Sequence, residues 1–382
     1  MMLERFLIQN QLTSWLMRRT PSTGVRRVIH LAAAVASETG NVRTENQDRA
    51  VIVRGRDSKG NEYTLAIVSD GIGGMHDGAG CAATAIGAFV SMIEWQSKKN
   101  DTEISNWLYN SSIAANDAVY EKYNGKGGAT LISVLIYPDH PIYWLSIGDS
   151  RIYSSSGITL KQISVDDTIA GQLGKNEYLY PEQSKLLQFV GMGSDLEPHT
   201  SIIEDESINS LVLTTDGVHY IAPSPNWLGK IIGNSLDSGS CVKKLVDLAM
   251  WCGGQDNATV VMLSLQPKPE SSLKVLSMLY SYIEVWDPFG EIQIISNIHS
   301  NADVPCKKEG STPTPEILKE KQSSDNEYNA KINSAKNSKN IKNSKNTSKK
   351  TKNKSMPKKE NVDSEPNEVI PQLHIEFPSK ED

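Results

Sequence analysis

Between residues 128 and 164 the chain runs through several strand-like segments joined only by short turns. Parallel neighbours need a crossover of a dozen or more residues, and none fits here. The pattern therefore points to antiparallel sheet with helices packed outside it, not to alternating βαβ units. Strands are expected at residues 63–68, 131–137, 142–147, 211–214 and 259–265, all rich in β-branched and aromatic side chains. Ala82, Ile86, Phe89 and Ile93 recur at helical spacing, which predicts a helix over residues 78–97. Two further helices are expected at residues 104–123 and 240–251.

This globular pattern extends over residues 29–266. Residues 1–28 carry five arginines and Glu4 as their only acid, and polar residues break up the apolar ones, so no signal-peptide core is visible. They read as a loosely held leader, with an amphipathic docking segment as the alternative. Residues 267–300 read as an accessory element with a helix-like stretch over 271–286 and a short apolar piece, EIQIIS. Residues 301–382 hold few apolar side chains among Lys, Asn, Ser and Pro, too few to offset the entropy of ordering, so disorder is expected there.

Charge is divided along the same lines. Eleven lysines and no acid lie between Lys331 and Lys359, and seven acids with one lysine follow. Residues 331–382 therefore carry +5 of an overall −6, which leaves −11 on the rest. A body this acidic is not expected to bind nucleic acid, but it suits carboxylates gathered around cations. The lysine run offers a polyanion-binding tail as an alternative to a solubilising one. Four scattered cysteines with no CxxC pair argue against a disulfide framework and a thiolate zinc site, and point to a reducing, cytoplasmic compartment. No apolar run approaches the ~20 residues of a membrane helix, so a spanning segment is not expected.

Four aspartates stand at strand ends: Asp70, Asp149 and Asp216 after apolar runs, and Asp256 just before one. A rigid sheet can fix such side chains, and oxygen-only ligands suit hard cations. Asp-Gly is also a common turn dipeptide, so each position alone reads more readily as a turn than as a ligand. Taken by themselves, the carboxylates lead as far as a metal-assisted hydrolase.

Six motifs in order carry the reading further: RTENQD (43–48), SDGIGG (69–74), GATL (128–131), GDSR (148–151), TDG (215–217) and GQDNAT (254–259). Their order and spacing resemble the metal-dependent Ser/Thr protein phosphatases of the type 2C (PPM) family in its bacterial style, over about three fifths of the chain. The resemblance implies an α+β fold, a central antiparallel-rich β-sandwich flanked by helices on both faces, four layers in the order αββα. It implies a binuclear Mg²⁺ or Mn²⁺ centre with Asp70 bridging both ions. The Gly71 carbonyl would join one ion, and Asp216 and Asp256 would hold the other. Asp48 matches the acid that holds metal-bound water, Asp149 the ligand of a third ion, and Arg43 the arginine that grips substrate phosphate. Metal-bound hydroxide would attack phosphoserine or phosphothreonine in proteins, opposing a Ser/Thr kinase, in an enzyme expected to be monomeric and free of the membrane. A degenerate module that binds phosphoproteins without turnover is the alternative, and for Arg43 the alternative is an ion pair with a nearby acid.

The chain departs from the family pattern at several points. Gln47 stands where many relatives have an acid. Met75 takes the place of a histidine that often follows the two glycines, and His76 comes one residue later, either as a proton donor or as a solvated loop residue. Asp166-Asp167 replaces an Asp-His pair, and residues 168–185 correspond to the flap that varies most among relatives.

The lysine run and the acidic end can attract each other only weakly at physiological salt, where exposed charges are screened within ~8 Å. Truncation after Ser300 is therefore expected to leave the melting temperature and the rate on p-nitrophenyl phosphate nearly unchanged. A severalfold loss of rate, or an unfolded product, would place the tail on the catalytic body.

Overall fold

The structure, a computed structural model, describes residues 2–99, 102–173, 185–205, 207–221, 225–265 and 281–296. The chain opens with helix α1 (Met2–Leu16) and strands β1 (Thr23–Val28), β2 (Ala33–Glu38), β3 (Arg49–Arg56) and β4 (Glu62–Ser69). Helices α2 (Gly78–Ser97) and α3 (Trp107–Tyr123) follow, then strands β5 (Leu131–Ile136), β6 (Ile142–Ile147), β7 (Arg151–Ser156) and β8 (Thr159–Gln162). Next come α4 (Ile169–Gln172), β9 (His199–Ile203), β10 (Ser210–Thr214), α5 (Asp216–His219), α6 (Pro225–Gly233) and α7 (Ser238–Trp251). Strand β11 (Ala258–Ser264) and the hairpin of β12 (Ser281–Asp287) and β13 (Gly290–Ser296) complete the series.

The strands form two sheets, ordered β1-β2-β11-β10-β7-β8 and β13-β12-β3-β4-β5-β6-β9, and every pairing is antiparallel. Side-chain alternation sends each strand's two faces into different layers. In β4, Leu65 and Ile67 join Leu12, Phe89 and Val119 beneath the helices α1, α2 and α3. Ala66 and Val68 turn the other way and meet Val35, Leu213 and Val261 between the sheets. On the far side, Val242, Leu245 and Val246 of α7 cover Ala36, Val212 and Val260. The result is the expected αββα sandwich, with most strands buried on both faces.

Both ends of the folded unit differ from expectation. Residues 1–28 are no loose leader: Ile8, Leu12 and Leu16, one stripe at four-residue spacing, are buried against α2, and β1 pairs with β2 at a sheet edge. The helices approach closely at Gly87, where a Cβ would stand 2.2 Å from Thr13 Oγ1 and 2.9 Å from the Gln9 carbonyl oxygen. The helix-like stretch is also corrected in part. Ser281–Asp287 is strand β12, paired with β3 through Val285 and Val53, while residues 267–280 lie outside the described residues. Alternation decides this: Ile283 and Val285 join the helix-side core and Trp286 the inter-sheet core. The two additions meet, since Arg18 stacks on Trp15 at 3.9 Å and its Nη2 donates to Asp287 Oδ1 at 2.7 Å. The expected disordered tail, residues 301–382, lies outside the described residues entirely.

Helix α2 qualifies the expectation about membranes. It has 20 residues and is apolar enough to cross a bilayer by length and composition, yet 89% of that window is buried inside the protein, as in a core helix.

Because α1 contributes to the main core, Leu12→Ala is expected to cost ~2–5 kcal/mol of unfolding free energy. Urea denaturation measures this, and a loss below about 0.5 kcal/mol, within the range of surface substitutions, would show that α1 lies outside the cooperative unit.

Candidate active site

Antiparallel pairing brings the C-terminal ends of β4, β6 and β10 and the N-terminal ends of β3 and β11 to the same end of the sandwich. Asp70, Gly71, Asp149, Asp216, Asp256 and Arg43 thereby line a single pocket of about 520 Å³. Asp48, only 3% exposed, lies behind it.

Small polar side chains hold the turns. Thr130 Oγ1 accepts from the Asp70 backbone N–H at 2.9 Å and shares a hydrogen bond with Ser150 Oγ at 2.8 Å, which ties the Asp70 and Asp149 turns together. Thr215 Oγ1 accepts from the Thr259 N–H at 3.0 Å and donates to Asp48 Oδ2 at 2.9 Å. That links β10, β11 and the start of β3. Gly71 is required by close approach: a Cβ there would meet the Gly78 backbone at 2.3 Å, where α2 begins.

The electrostatics are one-sided. Burial first, and then Asp48, Asp216, Asp149 and Asp256, push the Asp70 carboxyl well above its ordinary range. Asp216 is pushed well up by burial, Asp149, Asp256 and Asp48. Asp149 rises to about 7 through burial and Asp166, and Asp48 to about 6 mainly through burial. Asp48 Oδ1 has no hydrogen-bond partner among the described residues. Opposite them, Arg43 Nη2 donates to Asp256 Oδ2 at 2.6 Å, and that hydrogen bond holds the guanidinium above its ordinary pKa. Arg43 thus makes an acid–base pair of the kind weighed as its alternative role.

These features fit divalent cations. The donors are oxygen atoms alone, their mutual repulsion favours counter-charge, and a buried carboxylate oxygen is orphaned. Among the described residues no three His, Cys, Asp or Glu side chains stand close enough to hold one ion. The aspartates share a pocket instead of closing a cage, and Arg43 pairs with one of them.

Other anticipated residues have different places. His76 is exposed, and its ring packs edge-on to Tyr123 at 6.0 Å, while Met75 lines the pocket. Asp166 takes the buried Arg151 fork through Nε at 3.0 Å and Nη2 at 2.6 Å. Asp167 accepts from the Gly148 N–H at 2.9 Å and from Gln188 Nε2 at 3.1 Å, and bonds His199 Nε2 at 2.7 Å. A histidine does meet that position, but it comes from β9. His199, like Lys185 and Phe189 of the pocket lining, carried no local sequence signal. Residues 174–184 of the expected flap lie outside the described residues.

Comparison with known proteins agrees with this geometry. Residues 41–258, more than half of the chain, match the family described as protein phosphatase 2C. The chain belongs to the protein phosphatase 2C family. It is similar to protein phosphatase PhpP of Streptococcus pneumoniae serotype 2 strain D39, 26% identical over 246 residues that span 61% of this chain and 96% of that protein. The serine/threonine phosphatase stp of Listeria welshimeri is 23% identical over 60% of this chain and 94% of its own length. The fold is shared with the crystal structure of serine/threonine phosphatase Stp1 from Staphylococcus aureus. That match has a TM-score of 0.54 and 20% identity, and covers 65% of this chain and 99% of that one.

The raised carboxyl pKa values carry a sign. A carboxyl shifted up from about 4 prefers its neutral form in the fold, so its support is complete below pH 4 and is lost as pH rises towards about 7. In chelator, Asp149→Asn is therefore expected to melt a few degrees above the unsubstituted protein at pH 7.5 and to lose that advantage near pH 4. Parallel melting curves across this range would show that Asp149 is not strained.

Proposed function

We propose that this chain is a metal-dependent protein serine/threonine phosphatase that hydrolyses phosphoserine and phosphothreonine in proteins, opposing a Ser/Thr kinase. The observation that carries the reading is the single pocket in which Asp70, Asp149, Asp216 and Asp256 face Arg43. Relatives named as protein phosphatases and serine/threonine phosphatases support the substrate class. Free thiols at Cys81, Cys241 and Cys252 fit a reducing, cytoplasmic setting.

Asp70, the Gly71 carbonyl, Asp216 and Asp256 would hold two divalent cations, Mg²⁺ or Mn²⁺, and Asp149 a third. When bound, such ions lower the pKa of a shared water and offset charge on the phosphoryl oxygens. The remaining work falls to the chain itself. Arg43 presents a planar fork matched to two phosphate oxygens, and on passing from Asp256 to the phosphate it frees that carboxylate as a cation ligand. Asp48 keeps Oδ1 open to accept a hydrogen bond from water, while Thr215 fixes its other oxygen. No histidine lines the pocket among the described residues, and His76 packs on Tyr123 instead.

Purified protein is expected to hydrolyse p-nitrophenyl phosphate and phosphothreonine peptides with Mn²⁺ or Mg²⁺ and to stop in EDTA. Asp70→Asn should lower kcat by roughly a hundredfold or more, since loss of a ligand exceeds the effect of losing its supporting contacts. Arg43→Ala should chiefly raise KM for phosphoprotein. Full turnover in excess chelator, or unchanged turnover in Asp70→Asn at saturating metal, would overturn the reading, and metal-independent binding without turnover would establish the degenerate binding module.

A further inference from the structure

Four apolar side chains, Ile72, Met75, Leu186 and Phe189, line the pocket beside its carboxylates. All four are half-buried, so each keeps surface to offer a ligand. A phosphate group fills only a fraction of about 520 Å³, a volume in the range that encloses a drug-sized ligand. Space and apolar surface are therefore left over once phosphate is in place.

The apolar surface is preformed. A Cβ at Gly128 would stand 2.5 Å from the Phe189 ring and 3.0 Å from Ile72 Cδ1, so both side chains rest on that backbone. The Ile72 N–H donates to the Gly128 carbonyl at 3.1 Å, and the Met75 N–H to the Ile72 carbonyl at 3.3 Å. Val190 and Ala129 exchange backbone hydrogen bonds at 2.8 and 3.1 Å, which anchors the segment carrying Phe189. Ordering costs little at a surface already built. Met75 adds an adaptable thioether, while the adjacent His76 turns to Tyr123.

We infer that this wall selects phosphoproteins in which the phosphorylated serine or threonine is flanked by a bulky apolar residue. The inference rests on the phosphatase reading above and names its substrate class. The flanking side chain packs on Phe189, Ile72, Met75 and Leu186 while the phosphate meets Arg43. A charged neighbour would lose hydration against these apolar side chains.

The test is a panel of phosphothreonine peptides, identical except for Leu, Phe, Ser or Asp at the flanking positions, assayed with the full chain and Mn²⁺ alongside p-nitrophenyl phosphate. Leu and Phe peptides are expected to exceed the Ser peptide roughly tenfold or more in kcat/KM, carried mainly by KM. In Leu186→Ser and Phe189→Ser the preference should shrink towards unity. Equal kcat/KM across the panel, with p-nitrophenyl phosphate and every peptide turned over, would overturn the inference and leave the phosphatase reading standing. A preference that survives both substitutions would overturn the assignment to this wall. Failure to hydrolyse any phosphoester would remove the phosphatase reading and the inference with it.

Discussion

Crowded negative charge at one end of the sandwich is the constraint to which the neighbouring structure answers. Burial first, and then neighbouring carboxylates that include Asp149, raise the pKa of both Asp70 and Asp216, while burial and Asp166 raise that of Asp149. A mobile scaffold would relieve that repulsion by moving apart. Here the strands behind each turn are packed on both faces, and hydroxyl pairs such as Thr130 with Ser150 fasten neighbouring turns. The stability of the two sheets is thus used to hold an arrangement that is unfavourable until counter-charge arrives.

The sequence was most readable where burial is deepest. Strand β6 and helix α2 lie where propensity and spacing put them, because a strand covered on both faces becomes an uninterrupted apolar run and a core helix shows its repeat clearly. Other elements were not readable, whether at the margin, as α1, or inside a sheet, as β2. In α1 the buried stripe Ile8, Leu12 and Leu16 is masked by exposed Leu3, Phe6 and Leu7, so no apolar face stands out. In β2, AAVASE lacks the β-branched density of its neighbours, and packing between β1 and β11 makes it a strand. The helical reading of β12 came from joining it to the apolar run before it.

At the site, strand-end position and motif order pointed to the residues that share the pocket. What they could not show was pairing across distant segments. The Arg43–Asp256 contact joins residues 213 apart, and the Asp167–His199 contact joins residues 32 apart. Neither leaves a periodic or compositional trace. The apolar wall is hidden for the same reason, since Ile72 and Met75 come from one loop and Leu186 and Phe189 from another.

The hairpin of β12 and β13 also bears on how the chain is made. Strand β3 pairs with β12, about 230 residues later, through Arg54 with Glu284 and Val53 with Val285. During synthesis that edge of β3 waits, its backbone donors and acceptors unpaired, until nearly all of the folded body has left the ribosome. Open strand edges of this kind invite pairing with other chains. A gene fragment cut just after β11 would keep every proposed ligand and yet make this exposure permanent, so such a fragment is best judged by its tendency to self-associate.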